Sequence, residues 1–306
     1  MTVVLTALLP IIALIAIGYG LKRANFPGEV FWRPAARMVY FIFLPALLIR
    51  IVALAELDPS LWRAQLAAAV TVGILLGILL LTRKHITASG PAFTSVIQGS
   101  VRHNTYIGLA IANAIYSPNG VAAFALIVAV IVPLVNAIAV GALGKFGSLN
   151  DAGKLSTPRI VKLVALNPLI VACVIGGILN FTGIGLPWGT EEMFRLLGQP
   201  ALPLGLLVVG AGLQAEALTK LDLPVLVPSI ARLVLYPLIA YGFAALLELD
   251  PSHVGPLMLL AALPTAASAY VLALELGGDK ELMARIITVE TVLAAVTIPI
   301  VLSWSS

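Results

Sequence analysis

Charge is scarce in this chain. Lys and Arg number 18 and Asp and Glu 14 among 306 residues, or 10% of the whole, where a soluble domain carries roughly a quarter. With 60% apolar residues and a mean hydropathy of +1.07, that scarcity excludes an ordinary water-soluble domain and places the chain in the membrane class. The lone cysteine, Cys173, excludes an internal disulfide and reads as a small packing residue. The net charge of +4 is no nucleic-acid signal, because the basic residues fall in short loops between apolar runs. A membrane-embedded hydrolase needs a metal motif, a Ser–His dyad or paired aspartates. No His-Glu-x-x-His occurs, and Gly277-Gly278-Asp279 has no second intramembrane aspartate to work with. No phosphate-binding Gly-rich loop appears either. The expectation is therefore no enzyme, no catalytic residues, no metal, no cofactor and no ATPase module.

What the chain has in abundance is apolar runs. A membrane span needs about 20 predominantly apolar residues. Such runs occur at 3–21, 34–54, 61–82, 91–116, 119–142, 159–181, 193–214, 223–247, 254–275 and 282–302. The first lacks a basic leader and a clean cleavage site, so it reads as a span and not a signal peptide. The longest polar connection, 144–159, parts the ten runs into two sets of five. An odd number per set forces opposite orientations, as an inverted repeat requires. The predicted fold is an all-α multi-pass membrane protein of ten transmembrane helices. Two inverted five-helix repeats, 1–142 and 159–306, are joined by a cytoplasmic linker, 143–158.

Loop charges set the orientation. Lys22, Arg23, Arg33, Arg83, Lys84, Lys145, Lys154, Lys220 and Lys280 follow the odd-numbered spans. The opposite loops hold Arg63 and Arg195 among Glu56, Asp58, Glu191, Glu192, Glu248 and Asp250. Both termini are predicted outside the cytoplasm, with the protein in the cytoplasmic membrane and the bilayer as its first partner.

Spans four and nine share a pattern. Each opens with Gly-Pro (Gly90-Pro91, Gly255-Pro256), breaks midway with polar or helix-breaking residues, and resumes with a small polar residue, Tyr, and an apolar run. Paired broken helices in matching positions of two halves mark a transporter binding site. Asn104 and Thr105 have the chemistry to cap a resuming half-helix, and Pro264 denies a donor to the carbonyl one turn back, with Thr265 and Ser268 just beyond. Should the breaks meet, two helix N-termini, each with about half a positive charge, converge on one point and favour an anion. Arg102 beside them costs about 2.5–3.5 kcal/mol near the midplane. It either holds an anion, pairs to close a gate, or only maintains the fold. His103 either packs or handles protons. Asn136 lines the cavity or glues helices. Pro45 and Pro203 fall midway in spans two and seven, where a freed carbonyl needs a neighbour or a cavity. Arg232 and Glu290 are intramembrane charges of opposite sign, expected to meet each other or water. Glu290 is also the best single candidate for a coupling proton. Arg50 is expected to snorkel to the interface.

The run Gln98-x-x-x-Arg102-His103-Asn104-Thr105-Tyr106-Ile107-Gly108-Leu109 resembles the signature of the auxin efflux carrier family. Asn167-Pro168, the stretch from Leu202-Pro203-Leu204-Gly205 to Gly212-Leu213, and Leu263-Pro264-Thr265-Ala266-Ala267-Ser268-Ala269 resemble it as well. The short central loop is similar to that of bacterial members. The resemblance implies crossing spans four and nine, a scaffold of spans one, two, six and seven that dimerises, and a mobile unit of spans three to five and eight to ten. It implies transport of organic anions, from auxin to malonate or malate, with Asn104 at the crossing and Tyr106 beside it. Plant members carry proline and asparagine near both crossings. This chain lacks the first proline and has Ser268 in place of the second asparagine, so a small polar acid is expected over an indole acid. The expected function is a secondary carrier of small carboxylates by an elevator-like shift, working as a uniporter or with protons through Glu290 or His103. A sodium-coupled symporter of the bile-acid type is the alternative, and a channel is the third.

Overall fold

The computed structural model describes residues 2–56, 58–148 and 165–305. Among them the chain is helical, without strands. The helices are α1 (Thr2–Arg23), α2 (Glu29–Met38), α3 (Leu44–Ala53), α4 (Trp62–Ile86), α5 (Gly90–Val101), α6 (Thr105–Ile115) and α7 (Pro118–Phe146), followed by α8 (Pro168–Phe181), α9 (Thr190–Gly198) and α10 (Ala201–Ala211). The remainder are α11 (Leu223–Ile230), α12 (Tyr236–Leu246), α13 (Pro251–Ala262), α14 (Ser268–Glu275) and α15 (Lys280–Leu302). Six helical stretches among the described residues are long and apolar enough to cross a membrane: Glu29–Ala53, Pro59–Ile86, Pro118–Phe146, Thr190–Ala211, Leu223–Leu246 and Lys280–Leu302. The start of the predicted sixth span, most of the linker 143–158, and Lys154 lie outside the described residues.

Helix starts follow local chemistry. Ser89, Ser117, Asn167 and Asp250 each accept a hydrogen bond from a first-turn N–H, and each precedes a proline in the first two helical positions. That order satisfies one orphan donor with a side chain and removes another by using proline. Asp250 is held below the usual carboxylate range by the Ser252 hydroxyl and N–H. At the other end of a helix, the Asn180 amide donates to the carbonyls of Val52, Ala53 and Ala55 at 3.2, 3.1 and 2.6 Å, closing the terminus of α3.

The prolines expected midway through two spans behave differently from each other. Pro45 follows a π-helical turn, Val39–Phe43, that widens the backbone ahead of the ring. Pro203 instead falls in the first turn of α10, after the break at 199–200. An N–H there has no helical acceptor, so no carbonyl is freed. A second π-helical turn, Ala231–Leu235, precedes Pro237. It carries Arg232 into the interior.

The tightest seam joins α1 to α10. A Cβ built on Gly18 would lie 2.1 Å from the Leu207 carbonyl oxygen, and one on Gly210 would lie 1.9 Å from that of Ile15. The backbones touch there, and small residues are what permit it. Gly210→Ala is expected to force the pair apart and lower stability by about 1–3 kcal/mol, the usual cost of overpacking, or more because backbone must move. Thermal unfolding in detergent measures this, and an unchanged midpoint would contradict the contact.

Candidate functional site at two interlocked helix breaks

Between α5 and α6 the backbone of Arg102 and Asn104 is extended, with φ/ψ of −77/157 and −86/96. Between α13 and α14 the chain leaves the helix from Leu263 to Ala267. The two gaps lock together. Asn104 N–H donates to the Pro264 carbonyl at 2.8 Å. The Thr265 hydroxyl donates to the Gln98 carbonyl at 3.2 Å, and Arg102 Nη2 donates to the Ser268 hydroxyl at 2.9 Å.

Breaking a helix inside an apolar interior orphans backbone groups, each costing several kcal/mol if left so. Here they are matched by charge. Arg232 donates to the carbonyls of Leu263 and Leu260 at 2.7 and 2.5 Å, at the C-terminal, negative end of α13. Glu290 Oε2 accepts the Thr265 N–H at 2.8 Å. Both side chains are fully buried, and the guanidinium lies over the Tyr236 ring at 4.2 Å. The expectation that Arg232 and Glu290 meet each other is thus corrected: each takes a backbone group of the same break. Sequence reasoning saw two opposite charges, while the cheaper use for them is the unsatisfied helix ends.

Asn104 caps α6 as predicted, its Oδ1 accepting from Tyr106 and Ile107 N–H at 3.1 and 3.2 Å. No side chain caps α14. Both starts face a chamber that Arg102, His103, Thr105, Tyr106, Asn136 and Ser268 help to line. Tyr40, Leu44 and Leu169 line it as well. Sequence reasoning missed these three. Asn167 donates to the Tyr40 hydroxyl at 3.0 Å and so orients the ring; the Asn167-Pro168 pair was the only signal. Arg102 is 7% exposed, with Nε and Nη1 buried and without acceptors. Asn104 Nδ2 and both His103 ring nitrogens are likewise buried and unpartnered. A guanidinium with two unfilled donors beside two helix N-termini is chemistry for an anion. The chamber is small, about 40 Å³, space for a few water molecules where one needs roughly 10–15 Å³.

Residues 154–302 match the family model described as membrane transport protein. An uncharacterized transporter of Methanothermobacter thermautotrophicus is 26% identical over 97% of this chain and 96% of its own length. A proposed malonate transporter of Rhizobium meliloti is 25% identical over 95% of this chain and 92% of its own. The second half of the chain is thus similar to this membrane transport family, and nearly the whole chain to two proteins named as transporters. That agrees with the auxin-efflux-carrier resemblance read from the residues, and the family and both relatives are transporters, not enzymes.

Of the residues singled out in the sequence, the fold gathers most at one place. Pro264 and Thr265 form the interlock itself, and Glu290 backs it from α15, with Oε1 buried and unpartnered. Pro45 and Pro203 are not among the residues lining the chamber, and Pro203 is exposed.

Proposed function

We propose that this protein is a secondary transporter of small organic anions, carboxylates such as malonate, malate or auxin-like acids. The observation that carries the reading is Arg102: a buried guanidinium with two donors unfilled, facing a chamber between two half-helix N-termini. A carboxylate entering there would accept from the guanidinium in two-pronged fashion and neutralise both helix ends. The relative proposed as a malonate transporter supports the substrate class.

The reading includes an architecture. Ten spans form two inverted five-helix repeats. Spans one, two, six and seven make a dimeric scaffold in the cytoplasmic membrane, with both termini outside. Spans three to five and eight to ten carry the interlocked breaks past it as one body in an elevator-like shift. The narrow chamber fits a step in the cycle between loading and release, because lining residues such as Tyr40, Leu44 and Leu169 must shift before an acid is admitted.

Saturable, competable uptake of labelled malonate, malate or indole-acetate by purified protein in liposomes is the test. No uptake of any of these acids would remove the reading. Glu290, with one oxygen bound to Thr265 N–H and the other free, is the proposed proton carrier. Glu290→Gln is expected to abolish the response of uptake to an imposed pH gradient while leaving exchange at zero gradient intact. A gradient response unchanged in that variant would take coupling away from this residue.

A further inference from the structure

A second cavity, of about 240 Å³, draws on two of the helices that line the chamber. Leu44 of α3 and Tyr106 of α6 line the chamber. Leu47 and Ile51, and Leu109 and Asn113, line the second cavity. On both helices the step is the same, one and then two turns further on, or about 5 and 10 Å at 1.5 Å per residue. The two spaces are consecutive stations along one pair of helix faces.

The second station is charged in a particular way. Arg50 comes to it from α3 and Arg195 from α9, with the amides of Asn113 and Gln199 alongside. Arg50 Nη2 donates to Glu191 at 2.9 Å, and its Nε is buried without an acceptor. Arg195 is held by Glu192, through Nε at 2.7 Å and Nη2 at 2.5 Å. The two acids are chain neighbours, and their side chains are 49% and 58% exposed. Each arginine therefore bridges an acid in water and a cavity with an apolar floor. Arg50 reaches the half-exposed Glu191, as a snorkelling side chain does, and lines the cavity as well.

We infer that this cavity is a separate anion-holding station, loaded before the chamber at the crossing, and that its ligand is a small dicarboxylate. The inference rests on the organic-anion reading above. Two guanidiniums match two carboxylates, one each. An arriving dianion replaces Glu191 and Glu192 as partner, and those acids swing into the water they already touch. The arginines thus exchange one carboxylate for another, without a bare charge at any stage. The volume lies below the roughly 300–1,000 Å³ of drug-sized pockets, which suits a malonate-sized solute. An acid with one carboxylate satisfies one arginine and leaves the other on its glutamate.

The test uses the full-length protein in detergent, an arginine-directed dicarbonyl reagent, and peptide mass spectrometry to read each arginine separately. Malonate is the probe and acetate at matched ionic strength the control. Malonate is expected to slow modification of Arg50 and Arg195 about twofold once it reaches its dissociation constant, and to leave Arg33 and Arg37 of α2 unaffected. The same protection is expected in Asn104→Ala, which damages the chamber. Protection no better than acetate gives, or protection lost in Asn104→Ala, overturns the separate station. In liposomes, Arg195→Gln is expected to raise the KM for malonate about tenfold, the worth of one charge-assisted pair, with kcat retained. An unchanged KM also overturns it. Absence of all acid uptake by the unmodified protein would instead defeat the parent reading.

Discussion

Arg102→Gln is expected to abolish saturable malonate uptake, lowering kcat/KM by roughly 10²-fold or more. The figure follows from the two donors, Nε and Nη1, that are buried and unfilled. Each hydrogen bond from a charged group contributes about 1.5–3 kcal/mol, and both go to the substrate in the proposed complex. Gln keeps one neutral donor and can still reach toward Ser268, whose hydroxyl now takes Arg102 Nη2 at 2.9 Å. The fold should therefore survive, which a monodisperse elution profile and an unchanged thermal midpoint would establish. Arg102→Lys retains the charge and loses the fork, so it should fall between the two. Initial rates in proteoliposomes over a range of malonate concentrations decide the matter. A Gln variant with wild-type KM and kcat would leave Arg102 as a fold-holding residue only.

The second large effect is on stability. Arg232→Leu deletes the partner of two carbonyls, those of Leu260 and Leu263, and strips the buried Glu290 of the cation nearest its break. Removing one member of a buried charged arrangement costs about 3–5 kcal/mol, because the remaining groups are left unsatisfied. Much of that penalty should be recoverable. In Arg232→Leu/Glu290→Gln no bare carboxylate remains, and the amide still accepts from Thr265 N–H. The double variant is expected to be more stable than the single one, as a double-mutant cycle by thermal unfolding would show. If both singles cost little and simply add, the break is held by something other than these two side chains.

Much of the scaffold was legible because a span needs only composition and length. The breaks were legible because Asn104, Thr105 and Pro264 are types that stop or start helices wherever they occur. The azimuth of a residue on its helix was not. A lone amide such as Asn136 suits lining and gluing equally, and in the fold it lines the chamber. Tyr40, Leu44 and Leu169 come from helices distant in sequence, and nothing about an apolar residue in an apolar run says which way it faces. That Arg232 and Glu290 take backbone partners has a related reason. Opposite signs suggest mutual attraction, but the carbonyls and N–H groups freed by a break carry no letter in the sequence. They outcompeted the direct contact. Arg50 and Arg195 were read as interface charges since each alone is unremarkable, and only their convergence on one cavity gives them a role.

The chamber at the crossing has a consequence for the membrane around it. With about 40 Å³ available, it holds only a few water molecules, and protons hop along unbroken files of them. An idle copy in this state would offer protons a short path at that point despite its charged wall, and the cell could keep many copies with little drain on its gradients.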